Sequence, residues 1–289
     1  MSLASLAAAR RAIGLLALAG ATAGAQPVCK PDASTSEAKL LAFYASPLAF
    51  SAVPAVAGLG AGEIVVHGDI TPVPSPPAEI TSSSGACGFA KPENSGLAPV
   101  FPRPRVALGL GRGVTAELSW LPPVTVADAT PHLGALALSW MTAGPVHGIG
   151  ARVIVRAHAT LGGVDGPITC PTSELQTSNP NGDCYGTVPS DDTYEPNTIG
   201  AEVIAVRAVG RAHWHFGAGV SQLRSRLQVN FTSQSGFVDR NVVEISLARV
   251  AVLGGVDWTL RDRLAVSAQL YAVPNDATAG RLGIAWRVR

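Results

Sequence analysis

The sequence predicts an all-β fold, a closed antiparallel transmembrane β-barrel of about ten strands, preceded by an N-terminal leader that includes a short helix. Three observations predict it. Asp, Glu, Lys and Arg make up only 14% of the 289 residues and hydrophobic residues 47%, whereas a soluble domain usually carries about a quarter charged residues. Beyond the N-terminus no apolar run approaches the ~18 residues that a spanning helix needs. Instead the apolar residues alternate with polar or small ones, and the connections between alternating segments sort into long and short ones in turn.

The alternation is the signature of strands with one apolar face. Between 149 and 161, Ile149, Ala151, Val153, Val155, Ala157, Ala159 and Leu161 share one face, against Gly150, Arg152, Arg156, His158 and Thr160, with Ile154 as the exception. Residues 114–120 set Val114, Ala116, Leu118 and Trp120 against Thr115, Glu117 and Ser119. Residues 264–271 set Leu264, Val266, Ala268 and Leu270 against Ala265, Ser267, Gln269 and Tyr271. The last segment sets Leu282, Ile284, Trp286 and Val288 against Arg281, Gly283, Ala285, Arg287 and Arg289. The ten strands fall near 63–72, 104–111, 113–122, 132–142, 146–162, 197–209, 211–231, 241–256, 262–273 and 279–289. In the seventh, apolar residues hold even numbers through Val220 and odd numbers from Leu223, which predicts a bulge at Ser221 and Gln222.

Short connections fall at Gly111-Arg112, Ala143-Gly144-Pro145, Gly210 and Asp257 to Arg261, and long ones near 73–103, 123–131, 163–196, 232–240 and 274–278. Membrane barrels have tight turns at one end and long loops at the other. A soluble β-sandwich has no reason to sort its loops. Trp140, Trp214, Trp258 and Trp286 lie toward the short-turn end and Trp120 toward the other, as aromatic belts at two membrane boundaries require. In this orientation Val153, Val155, Leu264, Val266, Leu270, Ile284 and Trp286 face lipid. Arginine is then expected to be better tolerated at Ile154 than at Val153.

Residues 1–25 read as a signal peptide: Arg10 and Arg11, an apolar stretch from Ala12 to Ala19, then Ala23-Gly24-Ala25 as the small-residue cleavage pattern. Residues 26–60 form a leader, a short helix or plug with Leu40, Leu41, Tyr44 and Leu48 at helical spacing between Glu37 and Phe50. Residues 61–289 form the barrel. The four cysteines of an exported chain predict disulfides. Cys170 and Cys184 share one polar stretch, which favours pairing them. The remaining Cys29–Cys87 pair would require the leader to thread the lumen, because Cys29 is expected on the short-turn side. No C-x-x-C is present, which disfavours zinc.

From about residue 61 to the end, the phrase Gly113-Val114-Thr115-Ala116-Glu117-Leu118-Ser119-Trp120 and the final Leu282-Gly283-Ile284-Ala285-Trp286 resemble Gram-negative outer-membrane β-barrel proteins as a class. Such proteins often end on an aromatic residue, and here Arg287-Val288-Arg289 follows the last tryptophan. The resemblance implies the outer membrane as location, and outer-membrane lipid and the barrel assembly machinery as partners.

The inward faces carry Glu63, His67, Asp69, Arg105, Glu117, Arg152, Arg156, His158, His213 and His215 as lumen-lining candidates, with Arg224 and Arg226 added by the bulge. Both signs are present, which predicts a charge-paired interior rather than a wide pore. His213 and His215 share a strand face, but no third ligand at usable spacing accompanies them. Glu63, His67 and Asp69 also share a face and read as a structural group. Ten-stranded barrels resemble the omptin surface proteases in strand number; Asp191-Asp192 is present in a long loop, but the D-x-H partner is missing. Asn179, Asn181, Asp183, Asp191 and Asp192 make that loop rich in oxygen ligands without matching a calcium-loop spacing. The net charge of +1 argues against nucleic acid. The expected function is a narrow channel, transporter or surface-binding protein for a small solute or lipid, with no enzymatic activity and no cofactor. The alternatives are an outer-membrane hydrolase with a site at the external mouth, and a secreted soluble β-barrel or sandwich.

Overall fold

The computed structural model describes residues 28–77, 80, 87, 100–126 and 128–289; the expected signal peptide and its cleavage point lie outside the described residues. Ten strands form one antiparallel ring: β1 (Ile64–Pro72), β2 (Val100–Gly111), β3 (Val114–Trp120), β4 (Thr130–Met141), β5 (Arg152–Gly166), β6 (Asp192–Val209), β7 (Ala212–Gln228), β8 (Val242–Arg261), β9 (Leu264–Val273) and β10 (Ala277–Arg287). Each pairs with the next, and β10 pairs back onto β1 from Leu282 opposite Ile70 to Arg287 opposite Val65. Closure gives the backbone N–H and C=O groups of every strand a partner, the condition for strands to cross a lipid core.

Side chains sort by face. On β3, Leu118 is 62% exposed while its neighbour Glu117 is 4% exposed. The same inversion recurs around the ring, with Val106, Leu136, Val155, Val203, Phe216, Val250, Leu270 and Ile284 outward. All five tryptophans are exposed on the outer face, where an aromatic ring can sit between hydrocarbon and headgroups. Soluble monomers rarely leave so continuous an apolar band in water. This is the architecture of a Gram-negative outer-membrane β-barrel, with the short turns at the periplasmic end and the long loops outside.

Three sequence expectations are corrected. β7 has no bulge: its register with both β6 and β8 runs without a shift from Ala212 to Gln228. Leu223 and Leu227 point inward, and Arg224 and Arg226 point outward, where Arg226 faces Glu195 and Glu244. The apolar face switches because the environment does: the outer surface becomes aqueous beyond the membrane while the lumen becomes apolar. β5 starts at Arg152, not near 146, because Gly148 and Gly150 take φ of 92° and 58° and the chain turns back through a Val146–Ala151 bridge. Cys29 lies at the external end, since Val28 and Cys29 run alongside Val242 and Val243 at the start of β8.

The leader fills the lumen. Thr35 caps helix α1 (Ser36–Leu48) by accepting from the Ala38 N–H. The helix buries Ala38, Leu41, Ala42, Ala45 and Leu48 against inward Phe101, Leu133, Leu223, Leu227, Val243 and Ile245 in the external half of the barrel. Tyr194 donates from its hydroxyl to the Leu41 carbonyl at 2.6 Å. Beyond Leu48 the chain runs extended toward the periplasm, with Ala49 and Ala52 packed on Ile154, Ile204, Ala251, Leu253 and Tyr271. It leaves the lumen where Gly62 donates to the Gly109 carbonyl at 2.8 Å. A Cβ on Gly109 would lie 1.9 Å from the Gly60 carbonyl oxygen, so only glycine lets the chain pass there.

Two disulfides brace the external side, Cys29–Cys87 and Cys170–Cys184. The first ties the start of the leader to the β1–β2 loop. The second closes a 14-residue separation in the β5–β6 loop. Replacing Cys170 and Cys184 by serine is expected to cost about 3 kcal/mol on the loop-entropy account. Thermal unfolding of oxidised and variant protein checks this, and an unchanged midpoint would show the loop to be held by its hydrogen bonds alone.

Candidate functional site: the occupied lumen and the periplasmic vestibule

At mid-height the lumen is lined by buried charge. Arg105 binds Asp69 at 2.8 Å and approaches Glu117 at 3.6 Å. Arg156 binds Glu117 at 3.0 Å and Glu202 at 3.1 Å. Three histidines each face a carboxylate: His67 and Asp69 at 3.7 Å, His158 and Glu202 at 3.8 Å, His215 and Asp257 at 3.5 Å. His158 lies opposite Gly200, where a Cβ would sit 2.7 Å from the imidazole Nε2 and 2.8 Å from the Val220 carbonyl. The missing side chain makes room for the ring.

Arg103 and Arg281 are different. Among the described residues neither has a carboxylate within salt-bridge distance. Both point at the C-terminal end of α1, where helix carbonyls lack partners and carry partial negative charge. Arg103 donates to the Leu48 and Ala49 carbonyls at 2.6 and 2.7 Å. Arg281 donates to the Ala49 carbonyl at 2.8 Å, to Pro47 at 3.4 Å, and to the Ser51 hydroxyl. Arg156 takes the Phe50 carbonyl at 2.6 Å, Arg105 the Ser51 carbonyl at 2.7 Å and Gln269 the Ala52 carbonyl at 2.8 Å. The carbonyls of residues 47–52 are thus all held by the barrel wall. Phe50, fully buried, lies within 4.5–5.5 Å of the guanidinium carbons of Arg103, Arg105 and Arg156, close enough for cation–π attraction.

The structure brings His67, Asp69, Arg105, Glu117, Arg156, His158 and His215 together in this layer, all buried. Glu63, Arg152 and His213 lie apart from it, lining a cavity of about 500 Å³ at the periplasmic mouth. Arg103, Glu202, Asp257 and Arg281 were not among the predicted lumen residues. Arg281 sat on the right face in the alternation of β10. Arg103 lay one residue before the expected start of its strand, and Asp257 was placed in a turn.

The external loops are held by structural polar contacts. Buried Asp192 accepts from Thr169 N–H and hydroxyl at 2.6 and 2.9 Å, from the Ser190 hydroxyl at 2.7 Å and from Asn230 N–H at 2.8 Å. It therefore ties two loops together and is not a free carboxylate beside Asp191. In the β9–β10 turn Asp276 accepts from Arg249 at 2.6 Å, while burial pushes its carboxyl above the ordinary value against the pull of that arginine.

No family model and no curated relative matches the chain. Solved structures do align with it. Neisserial surface protein A is 12% identical over 78% of this chain and 96% of its own, with a TM-score of 0.29. The translocator domain of the autotransporter NalP from Neisseria meningitidis is 10% identical over 81% and 91%, with a TM-score of 0.38. The outer-membrane protein Omp33 of Acinetobacter baumannii is 7% identical over 80% and 99%, with a TM-score of 0.31. Similarity at this level is similarity of barrel architecture, and the assignment of the chain to that architecture rests on its own ring of strands and its apolar outer belt.

Proposed function

We propose that the protein is a surface-working outer-membrane barrel without a catalytic site, its lumen held shut by its own N-terminal segment. The grip of the wall on the carbonyls of residues 47–52 carries this reading. A conducting lumen would have to exchange those carbonyls for water or solute, leaving Arg103 and Arg281 without their partners. The segment is pinned at both ends as well, by Cys29–Cys87 outside and by the Gly60–Glu63 exit inside. What the barrel then offers is its external loop platform, braced by two disulfides and the Asp192 contacts. A second reading, a gated transporter, is favoured by the vestibule, which reaches leader residues Pro54 and Leu59 from the periplasm.

Planar-bilayer recording tests the closed lumen. The intact, oxidised protein is expected to show no stable openings. Combined Arg103→Met and Arg281→Met substitution, which frees the helix end, is expected to produce flickering conductance. Large, stable, unselective conductance from the intact protein would overturn the reading.

A further inference from the structure

The vestibule at the periplasmic mouth has a chemistry that neither lumen closure nor barrel stability uses. Its floor is the leader, with Pro54, Ala55 and Ala57 presenting apolar surface. Its apolar wall continues through Met141 and Ala265. Around this lie Arg152, Arg261, Arg263 and Arg287, against the carboxylates Glu63, Asp257 and Asp262, while Arg207, opposite the outward Trp214, turns away from it. Glu63 is engaged by Arg287 at 3.7 Å and also accepts from Gly60 N–H. Asp257 is buried on the wall beside His215 at 3.5 Å. Arg152, Arg261 and Arg263 are exposed and form no ion pair among the described residues. Three guanidiniums on strands β5 and β8 and in the β8–β9 turn therefore surround one cavity of about 500 Å³ with an apolar floor.

Cations gathered at this density repel one another, and nothing in the fold requires them: barrel closure, the turns and the leader exit are complete without these side chains. Arginine forks match phosphate and carboxylate oxygens in pairs. A cavity of this size with an apolar base and a few convergent polar groups is of ligand-pocket dimensions. We infer that the vestibule binds an amphiphilic anion, a phosphate or carboxylate headgroup at the arginines with a short apolar portion against Pro54, Ala55 and Ala57. The buried Asp257 carboxylate repels the headgroup from the deep end and sets this polarity. The inference does not depend on whether the lumen ever opens.

Titration calorimetry on the full-length barrel in phosphatidylcholine nanodiscs tests it, with octyl phosphate below its micelle concentration and inorganic phosphate as separate probes. Octyl phosphate is expected to bind saturably and at least tenfold more tightly than inorganic phosphate. The triple variant Arg152→Gln, Arg261→Gln, Arg263→Gln is expected to weaken it at least tenfold. Ala208→Trp, which fills the wall without changing charge, is expected to weaken octyl phosphate and leave inorganic phosphate unchanged. Unboiled and boiled electrophoretic mobility confirms that each variant remains a folded barrel. Absence of saturable binding, or binding unchanged in the triple variant, would overturn the site. Equal affinity for the two probes would overturn its apolar half. Repeating the titration in phosphatidylglycerol nanodiscs separates the sources: competition identifies a membrane lipid headgroup, and its absence a soluble amphiphile.

Discussion

Replacing Arg156 by Met is expected to destabilise the barrel by about 3–5 kcal/mol, the cost of breaking a buried ion pair from one side. Arg156 is 1% exposed and serves Glu117, Glu202 and the Phe50 carbonyl together. Without it, among the described residues, Glu202 keeps only His158 at 3.8 Å, and Glu117 only Arg105 at 3.6 Å. The Phe50 carbonyl, buried between barrel and leader, loses its donor. Urea unfolding in lipid vesicles, followed by tryptophan fluorescence, measures the loss. Adding Glu117→Gln and Glu202→Gln to Arg156→Met should recover part of it, because the stranded charges go with their partner. A loss below about 1 kcal/mol would show that water reaches this layer and solvates the carboxylates.

The cost of Arg156 depends on a feature that the alternation of residues alone does not reveal. Period-two patterns show that Leu118 and Glu117 face opposite ways, and the sorted turns show which end is which; strand number and order follow from those. The pattern does not say what fills the inside. A barrel wall has two faces, and either can be apolar: the outer one against lipid, the inner one against a packed segment. On β7 the apolar residues pass from Phe216 and Val220 outside to Leu223 and Leu227 inside. In sequence that crossing is indistinguishable from a bulge. Only the place of helix α1 in the external half explains it. The helix itself was legible from Leu40, Leu41, Tyr44 and Leu48, and Cys29–Cys87 pointed to a threaded leader. The end of the barrel from which the leader enters was not, because it depends on the parallel pairing of Val28 and Cys29 with β8.

The candidate charges divide along the same line. Those at mid-height, such as His67, Asp69 and Glu117, have burial dictated by parity and were readable. Arg152 obeys the parity of Arg156 yet lies at the mouth, because β5 begins there and the three residues between them span more than one layer of the lumen. Depth, unlike facing, requires knowing where a strand starts. Gly148 and Gly150 hid that start by prolonging the apolar series through Ile149 and Ala151 while their positive φ ended the ladder.

Arginine placed at Val155 and at Ile154 separates the outer face from the inner one. Val155 is 46% exposed toward lipid opposite Trp140 of the aromatic belt, and Val155→Arg is expected to cost about 1 kcal/mol, because the penalty falls toward the interface. The alternation predicted that the neighbouring inward site would tolerate arginine better, as a water-lined lumen would. The structure reverses that expectation. Ile154 is fully buried in a cluster with Ala49 and Ala52 of the leader and with Ile204, Leu253 and Tyr271 of the wall. An arginine there has no carboxylate to meet among these neighbours and must displace the extended segment to reach water, so Ile154→Arg is expected to cost at least as much as Val155→Arg. The two changes should differ in a second observable: Ile154→Arg is expected to raise bilayer conductance by dislodging the leader, while Val155→Arg lowers folded yield and leaves conductance unchanged. Paired urea titrations and single-channel recordings on the two variants check both points. Clearly better tolerance at Ile154, with no conductance, would mean that the lumen at this depth is wet and that the leader does not fill it.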